Sequence, residues 1–390
     1  MQIIDGIPVW GNPVDASALS QIQTCAKTAA HCALMADHHK GYAVPIGGVV
    51  AYENAISPSG VGYDIACGNK AVLTDADADD VRKNIATIMD DVWKIISFGI
   101  GRRNDEKVEH PLFEDERWRI PAIRGLKQLA ANQLGTVGSG NHYVDIFADS
   151  KDRVWVGVHF GSRGFGHKTA THFLNAAGAT DGMDVEPCVI PLDTDLGQDY
   201  LSCMELAGRY AYAGRDWVCS RVVRILGAQI EEEVHNHHNF AWRESHGGRD
   251  LWVVRKGATP AFPGQKGFVG GSMGDISVII EGVDNPEMSK HSLASTIHGA
   301  GRVMGRKQAT GVVKKGVVIR EGRVTKEMMM EWVRREKVEL RGAGTDESPH
   351  CYKRLPEVLA EHSDTIRVLE TLTPLGVAMA GENEFDPYKD

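Results

Sequence analysis

The sequence predicts one large domain of mixed structure, an α/β chain of the α+β kind. Three observations carry that expectation. Segments with helical apolar spacing and segments with strand-like alternation follow one another along the chain. Glycine-rich polar motifs fall beside the strand-like segments. The candidate ligand residues run from Asp64 to His298 with no internal repeat and no low-complexity linker between them, so a single domain over residues 1–390 is expected.

Taken in order, Ser17–Met35 reads as a helix of modest amphipathicity. Val44–Tyr52 is a short apolar run, a buried strand that enters a turn at Ser57-Pro58-Ser59-Gly60. Asp75–Phe98 opens on Asp75, Asp77 and Asp79, the charge a helix N-terminus favours, and repeats apolar positions at Val81, Ile85, Ile88, Val92 and Ile96. Gly135–Ile146 and Arg153–Phe160 alternate in part and read as strands. Leu201–His235 reads as a long helix, which places His237-His238-Asn239 at or just past its C-terminal end. Trp252–Arg255 and Val278–Glu281 are further strands, and Lys326–Val338 and Pro356–Leu372 close the chain as helices.

Composition narrows the class. With 42% hydrophobic and 24% charged residues, the chain is ordinary for a soluble globular protein. It has no apolar run of about 18 residues, so no membrane span is expected. The N-terminus, Met1-Gln2-Ile3-Ile4-Asp5, lacks a basic region followed by an apolar stretch, which makes a cytoplasmic location the default expectation. The seven cysteines are odd in number and scattered, and read as reduced thiols. A net charge of −9 argues against binding nucleic acid through overall charge. It leaves room for a local basic groove, with Arg255, Lys256, Lys266, Arg302, Arg306 and Lys307 as candidates and Lys314-Lys315 as a solvated turn.

The chemistry-bearing residues gather in glycine-flanked motifs. Asp64 and Cys67 lie three apart in Gly62-Tyr63-Asp64-Ile65-Ala66-Cys67-Gly68. His142 follows Gly140-Asn141, His159 opens His159-Phe160-Gly161-Ser162-Arg163-Gly164, and His238 sits in His237-His238-Asn239. Singly these are a turn-capping Asp, a small buried Cys and core histidines. Together, one thiolate, one carboxylate and three imidazoles suffice for two divalent metals sharing a bridging sulfur. His235 and His237 are weaker neighbours of His238. The loops Phe160–Gly164 and Gly270-Gly271-Ser272-Met273-Gly274 offer backbone N–H groups suited to phosphate, and Arg163 adds a bidentate donor. Asn141 and Asn239 are amides placed to support a ligand or touch a phosphate.

His298, in Thr296-Ile297-His298-Gly299-Ala300-Gly301-Arg302, stands apart from these. Small neighbours leave room beside its ring, and Arg302 can balance the charge of an incoming phosphate. Such an imidazole can attack a nucleotide α-phosphate and hold it as a phosphoramidate. The plain alternative is a structural histidine before a Gly-x-Gly turn.

With these residues in view, the chain resembles the RtcB-type RNA-splicing ligases. The likeness runs from Val9-Trp10-Gly11 to Thr373-Pro374-Leu375-Gly376-Val377. It is strongest in Met35-Ala36-Asp37-His38-His39-Lys40-Gly41-Tyr42, Gly62–Gly68, Gly138–Tyr143, His159–Gly164, His238-Asn239, Arg255-Lys256-Gly257-Ala258 and His298–Arg302. The resemblance implies stacked mixed β-sheets with surrounding helices. It implies a GTP- and Mn²⁺-dependent ligase that joins RNA 3′-phosphate or 2′,3′-cyclic phosphate ends to 5′-hydroxyl ends.

Carried onto this chain, Cys67 would bridge two Mn²⁺ ions. Asp64 and His142 would complete one site, His159 and His238 the other, and His298 would carry GMP. Nucleotide contacts would come from Asn141, Asp145, Asn239, Gly271, Ser272, Met273, Ser277, Gly299, Ala300, Gly301 and Tyr352. Phosphate and RNA contacts would come from Arg163, Lys256 and Arg302, and an activating partner protein fits the same picture. Two departures stand out. Asp145 replaces the family's glutamate, and Ala378-Met379-Ala380-Gly381 replaces its terminal Lys-Gly, leaving Lys389 in the tail as the candidate substitute. A dinuclear metal phosphoesterase, or a family member that caps or binds RNA with poor sealing, are the competing readings. Neither the phosphoesterase nor a non-catalytic binder needs the histidine at position 298.

Overall fold

The computed structural model describes residues 1–314 and 317–382, and Lys315 and Lys389 lie outside them. Helices and strands alternate as the mixed pattern requires, and two large sheets organise the molecule. The larger sheet has eight strands. Its order is Ile230–His237, Gly68–Asp77, Arg153–Phe160, Tyr143–Asp149, Ile366–Gly381, Ser277–Gly282 and Lys266–Val269, and Glu339–Ala343 runs parallel to Ile366–Gly381. The second has six strands, in the order Gln2–Ile4, Ile7–Val9, His31–His39, Ile46–Tyr52, Arg249–Lys256 and Asn239–His246.

Apolar side chains fix how these layers stack. One face of the eight-stranded sheet, with Val72, Val156 and Val158, packs against Ala78–Ile95 and the C-terminal half of Asp195–Ile225 through Met89, Val218 and Val222. The other face buries Phe147, Trp155 and Phe268 with Met329 and Val333 of the helix Lys326–Arg335. The N-terminal half of Asp195–Ile225 contributes Tyr200, Leu206 and Tyr210 to a separate cluster holding Leu34, Val50 and Val254 of the six-stranded sheet. This one 31-residue helix therefore serves both cores. Burial of aromatic and branched side chains at about 25 cal/mol per Å² is the force that holds such a shared element.

The strand Arg153–Phe160 occurs as expected, and Ile46–Tyr52, Arg249–Lys256 and Ser277–Gly282 contain the other expected strand cores. The helix expected over Asp75–Phe98 is Ala78–Ile95, with the Asp77 carboxylate accepting from Asp80 N–H. Four expectations are corrected. The helix expected over Ser17–Met35 ends at Cys25, because His31–His39 pairs with Ile46–Tyr52. The long helix stops at Ile225, where Gly227 takes φ 66° just beyond the C-terminal turn, and Ile230–His237 is a strand paired with Gly68–Asp77. Only Leu355–Ala360 of the final expected helix is helical, and Ile366–Gly381 is a sixteen-residue strand. Of Gly135–Ile146, only Tyr143 onward is strand, and the residues before it form the loop that carries Asn141 and His142. No helix of the described residues is long and apolar enough to cross a membrane.

Candidate metal centre and nucleophile

Strand register brings the candidate ligands to one end of the larger sheet. Gly68 opens its strand opposite both Phe160 and His237, and Asn69 faces His159, which in turn faces Tyr143. Cys67 precedes Gly68, His142 precedes Tyr143, and His238 follows His237. Four segments distant in sequence therefore deliver their ligands to the same edge. His238 is also where the chain leaves the eight-stranded sheet at His237 and enters the six-stranded one at Asn239. The missing helix matters here: His238 stands at a junction between strands, not past a helix end.

Cys67 Sγ lies 3.2 Å from His159 Nε2 and 3.5 Å from His142 Nε2, and one ligand atom from each of these three residues falls within 4.8 Å of the others. Asp64 Oδ2 faces His142 Nε2 at 3.1 Å without hydrogen-bond angles. His238 lies outside this tight group, with its ring centroid 5.1 Å from that of His159. Asp64 Oδ2, His142 Nδ1 and His238 Nδ1 are buried with no hydrogen-bond partner. Buried polar atoms are rarely left so, and the thiol flanked by His159 Nε2 and His142 Nε2, with the unpartnered Asp64 Oδ2 against the latter, fits a bound cation. A donor set of thiolate, imidazole and carboxylate suits a divalent transition metal better than magnesium or calcium.

Electrostatics agree with that use. Burial, reinforced by the Asp64 charge, raises the Cys67 thiol well above its ordinary value. Burial and neighbouring imidazoles hold His159 and His238 well below theirs, so both are neutral and ready to donate a lone pair. A metal entering here must displace the thiol proton.

The ligand loop is braced from several sides. Ser162 N–H and hydroxyl both donate to Ile65 O. Asn239 N–H donates to Cys67 O, its side-chain amide donates to Asp64 O at 3.4 Å, and its side-chain carbonyl accepts from Gly257 N–H. His159 Nδ1–H donates to Asn141 O at 3.0 Å, which sets the ring so that Nε2 faces the thiol. Arg215, fully buried in the long helix, donates from Nε to His235 Nε2, from Nη1 to Ala66 O and Phe160 O, and from Nη2 to His237 Nδ1.

His298 sits beside this cluster, its ring centroid 4.8 Å from that of His238. Its Nδ1 is 2.6 Å from Asp37 Oδ2, and the same oxygen accepts from the N–H groups of His298 and Gly299. Asp37 is fully buried. Burial would raise its carboxyl, but the His298 charge and hydrogen bonds, with Lys353 nearby, hold it below the usual carboxylate range. In the neutral ring a proton on Nδ1 would face this carboxylate and leave the Nε2 lone pair available. Asp37 was visible in the sequence only as part of a resembling segment. Arg215 gave no sequence signal, since an arginine in a helical pattern reads as solvent-facing.

The other candidates are held by local contacts of their own. Gly270 bridges Gly299, Gly271 N–H donates to Ser277 Oγ, and buried Met273 and half-buried Ser272 follow in the same loop. Ala300 is buried and Gly301, at φ 78°, passes so close to Asp37 O that no side chain would fit. Arg302 stacks on Tyr352, donating to its hydroxyl and to Asp346 O, while Tyr352 also donates to Glu347. Asp145 is buried with Oδ1 unpartnered, and burial raises its carboxyl well above the ordinary value. Arg163 donates to Gly99 O and Thr136 Oγ, and Lys256 Nζ donates to Tyr42 O and Ser59 O.

The expected basic groove is largely spent on internal partners. Arg255 pairs with Glu244, Arg306 with Asp346 and Glu347, and Lys266 with Glu232.

Compared with known proteins, the chain matches the family model described as tRNA-splicing ligase RtcB over residues 18–122 and 119–380. It is 32% identical over 405 aligned residues to the RNA-splicing ligase RtcB of Escherichia coli (strain K12), which covers 94% of this chain and 95% of that one. The tRNA-splicing ligases RtcB of Thermococcus kodakarensis and Archaeoglobus fulgidus are each 29% identical, with 88% of this chain and 86% of theirs aligned.

Proposed function

The chain belongs to the RtcB family, and from that premise we propose that it is an RNA ligase working through a GMP-histidine. In this reading it joins 3′-phosphate or 2′,3′-cyclic phosphate ends to 5′-hydroxyl ends. The observation that carries the reading is the 2.6 Å contact between His298 Nδ1 and buried Asp37. It fixes the tautomer that leaves Nε2 unprotonated, and it stabilises the positive charge that grows on the ring during attack.

The steps follow from that arrangement. His298 Nε2 attacks the α-phosphorus of GTP, a P–N bond forms, and the bond to pyrophosphate breaks. The Nδ1 proton stays between the ring and Asp37. An oxygen of the RNA 3′-phosphate then attacks the same phosphorus, the P–N bond breaks, and the ring returns to its neutral form. The 5′-hydroxyl oxygen finally attacks the RNA 3′-phosphorus, GMP leaves, and the hydroxyl proton is released. A 2′,3′-cyclic end takes up one water first and becomes a 3′-phosphate.

Asp64, Cys67, His142, His159 and His238 are the residues that would hold two Mn²⁺ ions, with Cys67 shared. Such ions supply positive charge that lets phosphate groups approach one another. In this reading the loops Gly271–Met273 and Gly299–Gly301, with Asn141, Asn239, Ser277 and Tyr352, would contact the nucleotide, while the Gly271 and Gly299 N–H groups are already engaged by Ser277 and Asp37.

The test is incubation with α-labelled GTP and Mn²⁺ followed by denaturing electrophoresis, with labelled ATP in parallel. Label that survives alkali, is lost in acid and is absent from His298→Ala is the expected result. A wild-type protein that takes up no label from either nucleotide would sink the ligase reading. Hydrolysis of RNA phosphates by such a label-free protein would favour the phosphoesterase.

A further inference from the structure

One guanidinium touches three of the segments that deliver metal ligands. Arg215 Nη1 donates to the carbonyl of Ala66, next to Cys67, at 3.1 Å, and to that of Phe160, next to His159, at 2.6 Å. Its Nη2 reaches Nδ1 of His237, next to His238, at 2.9 Å, and its Nε donates to His235 Nε2 at 2.8 Å. All four bonds end on neutral acceptors, two carbonyls and two imidazoles. A fully buried cation with no hydrogen-bonded carboxylate is costly, and a well-packed apolar side chain would fill the same space at less expense in free energy. The charge is retained where its field reaches Cys67 and Asp64 of the ligand set, along with Tyr212 and Asp216.

Geometry explains why a fork is needed at this position. Cys67, His159 and His238 come from three separate chain segments, and each is one residue away from an atom Arg215 holds. A guanidinium is planar and rigid, so its donors fix the relative positions of all three segments in one plane. A lysine could satisfy one or two of these acceptors and leave the rest unpaired. The helix Asp195–Ile225 carries Arg215 and is anchored in two apolar clusters, which gives the fork a stiff base.

We propose that Arg215 is the positioning residue of the metal centre, holding the segments of Cys67, His159 and His238 in register for metal binding. This rests on reading the Cys67 cluster as a metal site. Arg215 touches neither substrate nor metal in this account; it acts through the backbone of two ligand segments and the ring beside the third. Removing such a supporting contact typically weakens metal affinity about 10–100-fold.

The test compares metal-free wild type with Arg215→Met, Arg215→Lys and His237→Phe, the last of which keeps a ring against Tyr212 while removing one acceptor of the fork. Each is titrated with Co²⁺, and the thiolate-to-cobalt charge-transfer absorption is followed, with Mn²⁺ affinity measured by competition. Circular dichroism and thermal melting report the fold. The expected result is affinity lowered about 10–100-fold in Arg215→Met with a weakened charge-transfer band. Arg215→Lys should regain thermal stability while its affinity stays depressed, and His237→Phe should lose several-fold. Folded variants that bind Co²⁺ with wild-type affinity and an unchanged band would overturn the inference. Should Arg215→Met fail to fold, Arg215→Lys and His237→Phe decide by the same criterion. A wild-type protein showing no charge-transfer band would instead reject the metal site itself, which separates the two failures.

Discussion

At the scale of single residues, the contact between Asp37 and His298 sets the direction of the chemistry. An asparagine at position 37 would turn its amide or its carbonyl towards Nδ1. The amide orientation forces the proton onto Nε2 and removes the lone pair the attack requires. We expect Asp37→Asn to fold and to slow GMP labelling by on the order of 10³–10⁴-fold, as a tautomer-fixing carboxylate does elsewhere. Label formed at the wild-type rate would show that Asp37 does not set the ring. Lys256 gives a pH-dependent prediction. Burial pushes its ammonium down to about 8, although two carbonyls accept from it. Below pH 8 the ammonium is charged in both folded and unfolded chains, and the burial penalty is fully present. Between pH 8 and about 10.4 the folded protein releases the proton first, the unfolded chain binds more protons, and stability rises with pH. Urea unfolding of wild type and Lys256→Met at pH 7.0 and 9.5 should show their difference moving in favour of wild type by about 2 kcal/mol. A constant difference would mean the lysine titrates normally. Most of the site was legible at this scale, because ligand chemistry limits the choice to thiols, imidazoles and carboxylates between glycines. Asp37 and Arg215 were harder to see, since their roles depend on contacts across 261 and 149 residues.

Among the secondary-structure elements, the turn from the strand Arg153–Phe160 into the helix Arg163–Ala176 shows how closely the backbone serves the site. A methyl group on Gly161 would overlap the Asp64 carboxylate, and one on Gly138 would overlap His142 Nδ1. Gly161→Ala must therefore displace Asp64 from its place 3.1 Å from His142. A misplacement of about 1 Å typically costs on the order of 10²-fold, and that loss is expected in labelling rate with the fold intact by circular dichroism. Wild-type labelling in Gly161→Ala would mean Asp64 contributes nothing. Elements were less legible than ligands, for reasons that differ by segment. Ile230–His237 carries three consecutive glutamates and reads as helix, yet it is an edge strand, where exposed charge is tolerated and discourages pairing with other chains. His31–His39 mixes alanine, leucine and methionine, all good helix formers, and becomes a strand because its partner Ile46–Tyr52 is available. Neither outcome is written in local propensity; both depend on pairing with distant residues.

For the whole molecule, the centre lies where the chain crosses between its two large sheets, at His237-His238-Asn239. Ligands arrive from the Asp64–Cys67 turn, the loop before Tyr143, the end of the strand Arg153–Phe160 and this crossing. An ion bound there would tie four segments together in the folded chain, and none of them holds that arrangement when unfolded. Binding to the native state alone at 100 times the dissociation constant stabilises by about 2.7 kcal/mol. One kcal/mol moves the midpoint about 2–4 °C in domains of 150–250 residues, and less in a longer chain. Melting of chelator-treated protein should therefore rise by about 3–5 °C on addition of Mn²⁺ or Co²⁺ at that excess. Cys67→Ala should abolish most of the rise, because the thiol lies within 3.5 Å of both His142 Nε2 and His159 Nε2. His298→Ala should keep it, because its Nδ1 is engaged by Asp37 and it supplies no ligand. If the metal-treated and metal-free proteins melted together, these segments would not share an ion. If His298→Ala lost the rise as fully as Cys67→Ala, the division between metal centre and nucleophile would have to be redrawn.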